Sequence, residues 1–158
     1  MIDHATLREL LPQGHPMMLV DRIVSIDPGV SIVGVKAITG GEPCYRDIAR
    51  GCGQDRFAYP VSLLLESFGQ TAAVLWLAGA GSSSVAADSV MMLVAVRDAR
   101  IEGRAFPGDV LRHVARVDQV VGDSVLVSGE TFVGDARVVT IGSMMAVLRP
   151  RAAVLGRA

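Results

Sequence analysis

Ser62, Glu66 and Gln70 lie four residues apart within Tyr59–Leu77, YPVSLLLESFGQTAAVLWL, and form one polar stripe on an otherwise apolar stretch. From Val61 to Leu77 every other residue is apolar or small apart from Ser67 and Thr71. Glu66 sits in the middle of the stripe. A carboxylate set that deep in an apolar element must be paired, hydrogen-bonded or protonated, because an isolated buried charge is very costly. The chemistry such a group can do is proton transfer, which makes Glu66 the first candidate for a catalytic role. The other reactive residue types offer less. Cys44 and Cys52 lack CxxC spacing, and His4, His15 and His113 are scattered, so the expectation is reduced thiols, no metal centre and no cofactor.

The stripe needs a rod to carry it. Tyr59–Leu77 is too hydrophobic for a surface helix and too short to span a membrane, so it reads as a buried helix. Pro60 suits its first turn, and Gly79 and Gly81 followed by Ser82, Ser83 and Ser84 supply a stop and a loop. Before it, Thr6–Leu11 can form a short helical turn, and Pro12, Gly14 and Pro16 break the chain ahead of a strand-like run over Met17–Ile26. Asp27-Pro28-Gly29 reads as a tight turn, which returns Val30–Ile38 as an antiparallel partner. Gly40 to Tyr59 is irregular and long, as functional or mobile loops are. After the helix come a loop over Ser82–Asp88 and an apolar run, Val90–Val96, expected to be a strand covered on both faces. Val110–Val121, Val125–Val133 and Val138–Leu148 are further strands, joined by Gly122-Asp123 and Gly134-Asp135 as hairpin turns. The order β-β-α-β-β-β-β predicts an α+β fold, an antiparallel six-stranded sheet wrapped around one long central helix. Residues 1–150 read as a single domain and 151–158 as a flexible C-terminal tail.

The 158 residues are 51% hydrophobic and 20% charged, which fits one domain with a real core. A mean hydropathy of +0.44 implies more apolar surface than one small domain hides, so an oligomer is expected. The formal charge of −1 supplies no basic field for nucleic acid. MIDHATLRELL lacks a secretory apolar core, so the expectation is a cytoplasmic protein with no membrane span.

Four phrases in register carry a family resemblance: LLPQGHPMMLVDRIVSIDPG, VKAITGGEP, PVSLLLESFGQTAA and FPGD. Together they resemble the bacterial 3-hydroxyacyl-[acyl carrier protein] dehydratase family along nearly the whole chain. The resemblance implies a hotdog fold, a dimer or trimer of dimers, and active sites at the dimer interface. It also implies a partner, an acyl carrier protein with a phosphopantetheine-linked acyl chain. In the family a histidine from one subunit faces a glutamate on the central helix of the other. Glu66-Ser67-Phe68-Gly69-Gln70 is similar to the family's E-A-x-A-Q, so the resemblance assigns Glu66 as catalytic and Gln70 as a substrate-site residue. The family's G-H-F-P histidine falls, counted without gaps, on Cys52, and there is no histidine between Gly40 and Glu66. The glycine that usually follows the helix-starting proline is Val61 here.

Dehydration of a 3-hydroxyacyl thioester needs a base for the α-proton, an acid for the departing hydroxyl and donors for the enolate-like oxygen. Glu66 is the acid in this reading, and the helix N-terminal amides near Val61 supply a donor. Cys52 stands at the position of the base, and an ordinary thiol would need Arg50 or Arg56 beside it to ionise. Alternatives stay open. In one, Glu66 is a structural carboxylate satisfied by Gln70 and backbone, in a non-catalytic acyl-binding or stabilising subunit. The same glutamate could serve an enoyl thioester isomerase or a hotdog thioesterase. A homodimer, or a heterodimer with a histidine-bearing hotdog subunit, would complete a shared site. Met17, Met18, Met91, Met92, Met144 and Met145 read as core and tunnel lining. Arg46, Arg50, Arg56, Arg97, Arg100 and Arg104 read either as solvated surface or as a face for an acidic carrier protein.

Overall fold

A computed structural model describes residues 1–80 and 89–155. In chain order the elements are α1 (His4–Leu10), β1 (Arg22–Asp27), β2 (Ser31–Ala37), 3-10 turns at Pro43–Tyr45 and Gln54–Phe57, α2 (Val61–Ala80), β3 (Ser89–Ile101), β4 (Val110–Val121), β5 (Ser124–Val133), β6 (Ala136–Pro150) and α3 (Arg151–Leu155). The six strands form one sheet in the order β1-β2-β4-β5-β6-β3, and every neighbouring pair is antiparallel. The expected α+β architecture, with its sheet around one helix, is the observed one. The expected Ser82–Asp88 loop lies outside the described residues, as do 156–158. Residues 151–155 of the expected tail form α3, beside β3 and β6.

Two strand expectations change. The first strand begins at Arg22 rather than Met17, because the Leu19 and Val20 amides donate to Gln70 Oε1 at 2.9 and 3.3 Å instead of joining a ladder. β3 is not covered on both faces: it is the sheet's edge, paired only with β6, and Leu93 and Val94 are 54% and 55% exposed. The sheet order, invisible in a local apolar run, decides which strand is last.

The helix is held against the sheet by apolar burial and by small residues that permit close approach. Phe68, Val74 and Leu75 on α2 meet Ile23, Ile32, Leu111 and Ile141 of the sheet in one buried cluster. Full burial of a Phe or Leu side chain contributes about 1.5–3 kcal/mol, so this face dominates the packing. Gly34 on β2 lets Thr71 approach, since a Cβ there would sit 2.6 Å from Thr71 Oγ1. Gly79 packs on Gly29 in the β1–β2 turn, where a Cβ would lie 2.8 Å from the Gly29 backbone. The central helix is long and apolar enough to cross a membrane by length and composition alone, against the sequence expectation, but its apolar residues are spent on this core.

Candidate active site

Along the Ser62–Glu66–Gln70 stripe the environment changes from exposed through half-buried to buried. Gln70 is locked. Its Oε1 accepts from Leu19 and Val20, and its Nε2 donates to Met17 O at 2.7 Å and to Glu66 Oε1 at 2.8 Å. All four hydrogen-bonding positions of this amide are used. Gln70 thus ties the segment before β1 to the helix and presents a donor to the carboxylate one turn away. A second amide converges on the same oxygen: Gln13 Nε2 lies 3.4 Å from Glu66 Oε1. Gln13 is placed there by α1, whose Asp3 cap accepts from Thr6 N at 2.9 Å and whose Leu7 and Leu11 are buried against the core.

Glu66 opens onto a cavity of about 440 Å³ between α2 and the β3, β5 and β6 strands. Its walls include Leu65, Trp76, Met91, Leu93, Val127 and Met144, with Gln13, Glu66 and Gln70 grouped on one side among otherwise mainly apolar residues. Of the expected tunnel methionines, Met91 and Met144 line this cavity. Its titratable lining residues are Glu9, Glu66 and Arg151, of which Glu9 and Arg151 are exposed. The arrangement offers an apolar ligand a lined space with the Glu66 carboxylate and the Gln13 and Gln70 amides at its wall.

Cys52 is not brought to this cavity within the chain. It is exposed and borders a separate shallow depression with Gly40, Gln54, Phe57, Phe106 and Pro107. Val61 opens α2 and is 42% exposed, with Leu64 N bonding back to Pro60 O at 3.0 Å. Beneath the Gly40–Tyr59 loop, Lys36 donates to Glu42 at 2.5 Å and to Ala37 O at 2.9 Å, clamping the loop to β2. Burial pushes the Tyr45 and Tyr59 phenols upward, and both hydroxyls are buried with no hydrogen-bond partner among the described residues. The clamp was missed at the sequence level, although Lys36 is the chain's one lysine. Gln13 was also missed; its position in a Pro-Gly-rich turn carries no periodic signal.

The sheet, the enclosed helix and the carboxylate facing an apolar cavity define a hotdog protein. Solved structures agree on the fold: the dehydratase heterocomplex ApeI:P from Xenorhabdus doucetiae matches with a TM-score of 0.74 at 16% identity, covering 96% of this chain and 97% of that one. A hot-dog-like protein from Thermanaerovibrio acidaminovorans matches with a TM-score of 0.61 at 16% identity, covering 82% and 88%. The chain belongs to the FabA-like domain family, whose model matches residues 11–142. Among its relatives, the 3-hydroxyacyl-[acyl-carrier-protein] dehydratase FabZ of Rickettsia bellii is 32% identical over 118 residues, 75% of this chain and 77% of the relative. The enzyme of the same name from Acidiphilium cryptum is 34% identical over 116 residues, 73% of this chain and 67% of the relative.

Proposed function

We propose that this chain is a dehydratase component acting on 3-hydroxyacyl thioesters carried by an acyl carrier protein in the cytoplasm, in fatty acid or polyketide type assembly. The observation that carries the reading is Glu66, oriented by Gln70 and opening onto a largely apolar cavity of about 440 Å³. Glu66 gives a proton to the departing 3-hydroxyl, Gln70 holds it in place, and the amides at the start of α2 near Val61 polarise the thioester oxygen. Abstraction of the α-proton needs a second group. Among the described residues of one chain the cavity offers no sheltered titratable group besides Glu66.

A second subunit supplies it. β3 is at once a wall of the cavity and a free sheet edge with exposed Met92, Leu93 and Val94, so a partner pairing there both covers apolar surface and reaches the site. In a homodimer the group at hand is Cys52, in a heterodimer a histidine of another hotdog subunit. The deciding experiment is intact mass of a 3-hydroxyacyl-carrier protein after incubation with the purified chain, beside Glu66→Gln. Loss of one water that disappears in Glu66→Gln supports a self-sufficient dehydratase, with Cys52→Ser the next variant. No mass change alone, with water loss on adding a histidine-bearing hotdog subunit, supports the shared site. A hydrolysed thioester or a shifted double bond would overturn dehydration in favour of thioesterase or isomerase chemistry, and inertness in both settings would leave acyl binding.

A further inference from the structure

An acid that gives up its proton and regains it needs neighbours suited to both states. The ionised carboxylate wants donors, and the neutral acid also needs an acceptor for its O–H. Gln70 can only donate. Turning its amide would set its NH₂ against the Leu19 and Val20 N–H groups and its carbonyl against Met17 O, losing its three backbone bonds at once.

Gln13 is free of that restraint. Its Nε2 reaches Glu66 Oε1 at 3.4 Å, while its Oε1 is buried and has no hydrogen-bond partner among the described residues. Nothing on the oxygen side fixes the amide, so its orientation follows Glu66. A half-turn about the terminal bond exchanges a donor facing Glu66 for an acceptor, and leaves one amide group unpaired either way. Its backbone is nonetheless firmly placed, between buried Leu11 and a turn in which Met17 N and Met18 N bond to Gly14 O at 2.8 and 3.1 Å.

We propose that Gln13 is a positioning residue for Glu66: its side-chain amide donates to the carboxylate and, turned over, accepts from the protonated acid. The inference rests on the reading of Glu66 as the proton-transferring group. It assigns the two glutamines different tasks, with Gln70 a fixed donor and Gln13 an adjustable partner.

The test has two arms. In the intact chain, the side-chain amide signals of Gln13 and Gln70 are followed by ¹H–¹⁵N NMR, with Gln13→Met assigning the first. Glu66→Leu, which removes the partner, is expected to move the Gln13 pair to free-amide shifts and speed its exchange with water, while the Gln70 pair stays protected by its backbone partners. A Gln13 pair indifferent to Glu66→Leu overturns the proposal, whether or not the protein dehydrates anything. In the catalytic arm, run with whichever subunit composition is active, Gln13→Met is expected to lower kcat about ten- to a hundredfold, as for other misplaced catalytic groups, with KM within about twofold. Gln13→Asn, which keeps the amide but withdraws it by one methylene, provides a second variant should Gln13→Met not fold. Unchanged kcat in a folded variant overturns the proposal; loss of the mass change in Glu66→Gln alone bears on the function of Glu66 and not on Gln13.

Discussion

His113 is buried with both ring nitrogens bonded, Nε2 to Ser67 Oγ and Nδ1 to Thr131 Oγ1, each at 2.9 Å. The Ser67 hydroxyl donates its proton to Leu64 O at 3.0 Å, so the consistent arrangement has Nε2–H donating to Ser67 and Thr131 donating to Nδ1. The network ties α2 to β4 and β5 through a neutral imidazole. Burial pushes the imidazole down to about 3 from its ordinary 6.5. The unfolded chain therefore takes up a proton below pH 6.5 that the folded one refuses until about 3, and stability falls as pH drops through that window. The expected result is a melting temperature that declines between pH 6.5 and 5, above the range where ordinary carboxylates titrate, and a flatter curve for His113→Gln, whose amide can still donate to Ser67 and accept from Thr131. Parallel curves for the two proteins would remove His113 as the cause.

Elements meet closely where glycine allows. A Cβ on Gly129 of β5 would collide with Val114 O and sit 2.9 Å from the Phe68 ring, pressing between β4 and the face of α2. Neither neighbour is a flexible side-chain end. Gly129→Ala is expected to cost about 1–3 kcal/mol, or on the order of 5 °C in a thermal melt for a chain this size. Gly40→Ala, with nothing within 4 Å of the added carbon, is the control and should melt within about 1 °C of the parent. Gly79→Ala tests the other end of α2, since its Cβ would meet the Gly29 backbone at 2.8 Å and push the helix from the β1–β2 turn. If all three variants melt alike, close approach of the helix to the sheet is not what these glycines provide.

For the whole molecule the open question of surface is concentrated at β3. An edge strand of 13 residues with Met92, Leu93 and Val94 exposed is long and apolar, which isolated proteins avoid. Val94→Lys places a charge on that edge without altering a cavity-lining residue. The expected outcome is a shift to monomer in sedimentation velocity, with unchanged far-UV circular dichroism and loss of any activity that depends on a second subunit. An assembly that sediments as before would place the interface elsewhere.

The architecture was legible in the sequence because it rests on local signals. Val and Ile runs, glycine turns and one long apolar stretch specify strands, hairpins and a buried helix, and four-residue spacing puts Glu66 and Gln70 on one face. The four-phrase resemblance added the family, which the match over residues 11–142 bears out. What the sequence could not specify are relations between residues distant in the chain. Gln13 meets Glu66 across 53 positions, Lys36 finds Glu42 only when the loop folds back on β2, and Leu19 and Val20 leave the strand ladder because Gln70, some 50 positions on, takes their amides. β3 becomes an exposed edge through the order of six strands, not through its own composition. Periodicity reports which face a residue occupies; only the packed tertiary structure decides what stands opposite it.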